Sequence, residues 1–197
     1  MTQSTRTARR AAFGETVLAL VLLAALALGC RAAARHYYRT VYPVKYGDLI
    51  QTAAADNGLD PRLLCAIIKA ESDFVPTAVS VNDACGLMQL LPSTLDWLQT
   101  LTPDDDHYTR ADLFDPAVNV RYGAYFVARL QAQFGDVATI AAAYHAGHNG
   151  VQRWLQNPAY SADGVHLDVI PYADTAQYVR RIVRNYEIYC QLHPNGI

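Results

Sequence analysis

Two Asp-Pro pairs, Asp60-Pro61 and Asp115-Pro116, do most to limit what this chain can become. An aspartate accepts hydrogen bonds from the free N–H groups of a helix's first turn. A proline at the first helical position needs no N–H partner and has its φ preset. Each pair therefore starts a helix. After the first come Leu63, Leu64, Ile67 and Ile68, at i, i+1, i+4 and i+5 on one apolar stripe whose next position is Glu71. A carboxylate thus falls in a slot that faces a core. For a residue of this type the ordinary alternative is a helix-end Glu that reaches solvent.

The second pair opens a helix carrying Val118, Tyr122, Phe126 and Leu130, expected to close at Gly135. A helix over about 46–57 is capped by Gly58, and another over 137–146 is stopped by Gly147. In the latter, Ala141, Ala142 and Ala143 permit close approach of a neighbour. The last is expected over about 173–191, with Val179, Ile182, Val183, Tyr186 and Cys190 on its inner stripe. The fold class is therefore all-α, with one domain over 46–192, and periodicity does not resolve the loop over 157–171.

Residues 17–30 carry no charge and are almost entirely Val, Leu and Ala, with Arg6, Arg9 and Arg10 before them. That is the pattern of an export signal. The run is 14 residues long, short of the roughly 20 that span a hydrocarbon core, although residues 11–16 and 32–34 extend it. A retained signal-anchor, a cleaved signal peptide and a lipoprotein modified at Cys30 are all open readings of residues 1–35, followed by an aromatic linker over 36–45. The anchor fits best, because no clean small-x-small site precedes a spacer and Leu28 suits a lipobox poorly. The expected location is the cell membrane, with the domain on its extracytoplasmic side.

Residues 1–39 hold six of the 16 basic residues and one of the 18 acidic ones, so the remainder has a net charge of −7. A nucleic-acid partner requires a basic face, and beyond Arg180, Arg181 and Arg184 no such cluster exists. That class is excluded. Cys30, Cys65, Cys85 and Cys190 show neither C-x-x-C nor metal-ligand spacing, and Cys65 reads as a small core residue.

From Glu71 the sequence runs Glu-Ser-Asp-Phe, passes Ser80, and then reads Ala84-Cys85-Gly86-Leu87-Met88-Gln89-Leu90-Leu91-Pro92-Ser93-Thr94. Further blocks are Leu113-Phe114-Asp115-Pro116, Asn119-Val120-Arg121-Tyr122-Gly123, Ala143-Tyr144-His145-Ala146-Gly147, and Pro171-Tyr172 with Tyr178-Val179. In order and spacing these resemble the soluble lytic murein transglycosylase family over roughly residues 42–190. The resemblance implies a lysozyme-like, goose-type-lysozyme-related SLT domain with a groove for peptidoglycan glycan strands. A monomer without metal or cofactor is expected.

Cleaving a glycosidic bond needs a proton for the departing oxygen and stabilisation of positive charge at the anomeric carbon. Glu71 is the expected acid, since lost hydration disfavours its charged form and keeps the proton available. A retaining glycosidase would add a carboxylate about 5 to 5.5 Å away. Asp73 is the nearest in sequence, but positions i and i+2 point about 200° apart on a helix, so one catalytic carboxylate is expected. The resemblance supplies the alternative. The N-acetyl group of the substrate assists departure, and Glu71, now a base, activates the muramoyl 6-hydroxyl to close a 1,6-anhydro ring. By the same resemblance Ser80, Gln89 and Tyr144 contact substrate, Gly86 and Met88 line the cleft, and Tyr178 and Asp174 lie near it. His145 replaces the family's usual Asn, Asp174 its Glu, Leu91 its Met and Asp83 its Gly.

A hydrolytic muramidase or a non-catalytic glycan-binding module on the same fold are the nearest alternatives. A cysteine peptidase using Cys85 with His145 or His148 would need an activated thiolate, and a zinc site at that histidine pair would need a third ligand.

Overall fold

A computed structural model describes residues 3–102 and 107–197, with side chains from Thr16 onward except at 17 and 19. The first two residues of the expected signal segment, and residues 103–106, lie outside the described residues. The chain divides into two compact units, Met1–Pro43 and Val44–Ile197. The first is a single helix, α1 (Gln3–Val41). Its stretch Leu20–Val41 is long and apolar enough to cross a membrane. Helix continues to Val41 through much of the stretch expected as a linker. No Gly or Pro interrupts residues 30–42, and the rings of Tyr37, Tyr38 and Tyr42 pack in sequence along it.

The second unit is helical, with only two isolated antiparallel bridges among the described residues, Val79 with Cys85 and Cys85 with Leu90. Its helices are α2 (Gly47–Asn57), α3 (Pro61–Glu71), α4 (Pro92–Gln99), α5 (Pro116–Gln133), α6 (Val137–Ala146), α7 (His148–Leu155) and α8 (Ala173–Leu192), with a 3-10 turn at Arg110–Phe114. Both Asp-Pro starts form as expected. Asp60 accepts from the backbone N–H of Arg62, and Asp115 from that of Ala117. Gly58 caps α2 in the left-handed conformation at φ 63°.

Helix α3 is buried from Leu63 to Ile68 and packs on α8, which also packs on α6. Cys65 is part of that core, where burial pushes its thiol pKa up to about 12. Its thiol is free, as are those of Cys30, Cys85 and Cys190.

Four details differ from the sequence reading. Helix α5 stops at Gln133, with Phe134 turning the chain out in an extended conformation before Gly135 is reached. Helices α4 and α7 were not anticipated, since each is only eight residues long, too short for periodicity to register. The inner stripe of α8 is Thr175, Tyr178, Val179, Ile182, Asn185, Tyr189 and Leu192, so Val179 and Ile182 are buried as expected, whereas Val183, Tyr186 and Cys190 are only partly buried. Polar groups shift that stripe: Asn185 donates to the Ala66 carbonyl of α3, and the Tyr186 hydroxyl turns outward to donate to Asp60. On α5, Asn119 is fully buried, whereas Val118 and Phe126 lie at the margin of the core.

Asn119 anchors the segment that follows α3. Its Oδ1 accepts from the Met88 N–H at 2.7 Å, and its Nδ2 donates to the carbonyls of Cys85 at 2.9 Å and Leu113 at 2.8 Å. Gly86 lies against it at φ 77°, and a Cβ there would sit 2.2 Å from both the Asn119 Nδ2 and the Leu113 carbonyl. Only glycine fits both the backbone conformation and the space. Replacing Asn119 by Ala should cost about 3 kcal/mol, since it strands buried backbone groups. Urea denaturation followed by near-ultraviolet circular dichroism measures this; an unchanged midpoint would show that the carboxamide is not the anchor.

Candidate active site

Glu71 is the last residue of α3 and half-buried. The chain leaves the helix sharply, with Asp73 at φ 52° and Phe74 at φ 62°. Phe74 turns inward while Asp73, 69% exposed, pairs with Lys69 in solvent. Ser72 secures this exit, its hydroxyl donating at 2.8 Å to the Leu87 carbonyl. The residue after Glu71 is thereby tied to the Gly86–Gln89 segment.

Two tyrosines close around the carboxyl. Tyr178 of α8 is buried, and its hydroxyl donates to Glu71 Oε1 at 2.6 Å. Tyr144 of α6 donates to the Met88 carbonyl at 2.6 Å. Burial raises the Glu71 pKa above the ordinary carboxyl range, opposed by the Tyr178 hydrogen bond and by the positive charge of Arg181. Burial and the nearby Glu71 push both tyrosine pKa values well above their usual value, so both keep their protons. Tyr178 is held on its ring faces: His145 stacks at 4.7 Å between centroids, and the Arg181 guanidinium lies 5.5 Å from the centroid. His145 Nδ1 is in turn 3.2 Å from the Thr175 hydroxyl.

Ser80 and Gln89 sit on the hairpin-like segment between α3 and α4. The Ser80 oxygen accepts from the backbone N–H groups of Asn82 and Ala84, so the hydroxyl is left to act as a donor. Gln89 is the reverse case. Its Nε2 donates to the carbonyls of Ala78 and Gly86, both at 3.0 Å, which leaves its amide oxygen as an acceptor. Asp83, where the resembled family has Gly, adopts φ 63°, and its carboxylate pairs with Arg110. That hydrogen bond holds the Asp83 carboxyl below its usual pKa.

Not every expected site residue faces open space. Gly86 and Met88 are fully buried, so any part they take in a cleft falls to their backbone. Asp174 is exposed on the first turn of α8 and accepts from the N–H of Thr175 rather than reaching Glu71. Cys85 is buried and its thiol pKa is raised, chiefly by burial, the opposite of an activated nucleophile. Among the described residues no cluster of three metal-ligating side chains occurs. Ser72, Asn119 and Arg181 were missed as site residues. The first two lay inside motif blocks, but nothing in their spacing marks them as buried anchors.

A cavity of about 520 Å³ lies between α2 and α5, lined by Leu49, Asp56, Arg121 and Tyr125 among others. It contains none of the residues around Glu71.

The family model described as "Transglycosylase SLT domain" matches residues 48–165. The chain belongs to the transglycosylase SLT domain family. This SLT domain chain is 30% identical over 144 residues to the soluble lytic murein transglycosylase of Salmonella typhimurium, covering 72% of this chain and 22% of that protein. It is 31% identical over 162 residues to the membrane-bound lytic murein transglycosylase C of Haemophilus influenzae, covering 77% and 42%. The lytic transglycosylase Slt of Pseudomonas aeruginosa, solved as an inactive Glu-to-Gln mutant, superposes with a TM-score of 0.68 at 30% identity, covering 79% of this chain and 25% of that one. The 70-kDa soluble lytic transglycosylase of Escherichia coli, at 24% identity and a TM-score of 0.72, covers 81% of this chain and 26% of its own and shares the fold. The SLT domain chain thus spans about a fifth to two fifths of the length of these curated relatives.

The raised Glu71 pKa has a consequence for stability. A carboxyl that binds its proton more tightly folded than unfolded favours the fold at low pH, and the benefit is lost as pH rises from the ordinary Glu value through the raised one. Glu71→Gln should therefore melt at a higher temperature than wild type at pH 7.5, with the gap closing below about pH 4. Thermal melts at the two pH values decide this. Tyr178→Phe removes the donor that favours the charged form, so the Glu71 pKa should rise further. Carbon-13 NMR of the labelled carboxyl reads that shift, and an unchanged or lowered pKa would contradict the assignment.

Proposed function

We propose that this protein is a peptidoglycan lytic transglycosylase that cleaves the MurNAc–GlcNAc β-1,4 bond without water. The observation that carries the reading is a single half-buried carboxyl, Glu71, with a raised pKa and a tyrosine hydroxyl on one oxygen. Its relatives are named lytic murein transglycosylases, and the Pseudomonas neighbour is inactive when one glutamate becomes glutamine.

The protonated Glu71 gives its proton to the glycosidic oxygen as the bond to the anomeric carbon breaks. The N-acetyl oxygen of the same sugar closes onto that carbon and carries the positive charge. Glu71, now a carboxylate, takes the proton of the muramoyl 6-hydroxyl. The 6-oxygen then displaces the N-acetyl oxygen to form the 1,6-anhydro ring, and Glu71 is again protonated. Asp73 supplies no second carboxylate, because it faces solvent and pairs with Lys69. Ser80, donating, and Gln89, accepting, suit the carbonyl and N–H of an N-acetyl group. Tyr144 and Tyr178 remain neutral donors throughout, and Asp174 contributes through the position of α8 rather than by contact with Glu71.

The same reading places α1 in the cytoplasmic membrane as a signal-anchor, with the catalytic unit on the cell-wall side. Catalytic residues on an inward-facing domain would meet no peptidoglycan. Residues 1–35 serve as the anchor segment and 46–192 as the catalytic domain.

Digestion of purified peptidoglycan with the full-length protein should release products ending in 1,6-anhydromuramic acid, identified by mass spectrometry. Glu71→Gln should lower that release by about 10²- to 10⁴-fold. Reducing ends in place of anhydro ends would make the enzyme a muramidase. Release that does not depend on Glu71 would overturn the assignment of the acid.

A further inference from the structure

Outside the Glu71 cluster, the feature that calls most for explanation is Trp97. Helix α4 is seated by Leu95 and Leu98, both fully buried, and Trp97 lies off that stripe with 39% of its surface exposed. An indole left in water forfeits burial energy unless the face has another use. Single exposed aromatics are ordinary on protein surfaces, but this one is held rather than loose. Phe126 meets its edge at 6.1 Å with planes at 89°, the Arg129 guanidinium lies 5.7 Å from its centroid, and His148 runs nearly parallel to it, 10° between planes.

The spacing of that last pair matters. The centroids are 6.4 Å apart, well beyond the roughly 3.5–4 Å at which stacked atoms touch. Parallel rings at that separation are not in direct face-to-face contact, and 39% of the indole surface stays exposed. A chain of ring contacts links this pair to the candidate active site. Phe126 also packs on Tyr144, at 5.1 Å, and Tyr144 is the residue bonded to the Met88 carbonyl. Tyr144 and His148 are four residues apart around Gly147, so one short segment serves both places.

We propose that Trp97 and His148 form an aromatic platform on which a sugar ring of the glycan strand stacks, one or more units away from the bond at Glu71. The chemical match is general: the axial C–H bonds of a β-linked amino sugar present a weakly positive face to an electron-rich indole. A rigid, pre-positioned ring binds with little ordering cost. The platform rests on the glycan-cleaving reading above, but it is tested separately. It binds a part of the strand that takes no part in the chemistry, so it should act on KM more than on kcat.

The test uses the full-length protein in a non-ionic detergent and uncrosslinked glycan strands sorted by length. Trp97→Ala should raise KM for long strands about tenfold, which is about 1.4 kcal/mol, with kcat nearly constant and the effect shrinking as the strands shorten. Trp97→Phe should restore most of the loss. A direct readout needs no turnover. The chain has two tryptophans, and Trp154→Phe leaves Trp97 as the sole indole, whose emission should shift as GlcNAc oligomers are titrated. Cleavage by wild type with no emission change and no length-dependent KM effect would overturn the platform while leaving the enzyme intact. An emission change without cleavage would support the platform in a glycan-binding protein. Neither cleavage nor emission change would remove both.

Discussion

One carboxamide holds in place the segment beside the candidate active site. Asn119 projects from the first turn of α5 into a position with no access to water and joins backbone groups of two segments, Cys85 and Met88 on one and Leu113 on the other. Met88, Cys85 and Leu113 are fixed relative to one another by this residue, and the fit of Gly86 against it leaves no room for adjustment. The Met88 carbonyl that receives Tyr144 and the Leu87 carbonyl that receives Ser72 lie on the segment so fixed. The end of α3 and the side chain of Tyr144 are thus both tied to a loop that has almost no regular structure of its own.

The electrostatics of the site are a contest between burial and two partners. Loss of water pushes the Glu71 pKa up, and Tyr178 and Arg181 pull against it. The first effect is the larger, which leaves a group able both to give a proton and to take one back. Tyr178 is central here because it touches the carboxyl, carries His145 on one of its faces and lies beneath Arg181.

Much of this was legible beforehand, for identifiable reasons. Asp-Pro starts and the stripe ending at Glu71 depend on local geometry, and local geometry repeats wherever the same residues occur. The position of Tyr178 and Tyr144 near Glu71 came only through resemblance, since they are 107 and 73 residues away along the chain and no periodicity connects them. What escaped notice was polar burial. Asn119 and Asn185 look like surface residues by type, and their place inside depends on carbonyls from other segments. The same cause moved the inner stripe of α8, and the contact with Asn119 accounts for a glycine at 86 that resemblance alone placed on the cleft wall.

Gly123 lies one turn along α5 from Asn119, and a Cβ there would come within 2.2 Å of the Met88 sulfur. The Met88 side chain is therefore packed directly against the backbone of α5. Any group larger than hydrogen at this position must displace the Met88 side chain, which lies on the segment that Asn119 fixes. The packing of α5 and the shape of the segment beside Glu71 thus share one set of tolerances.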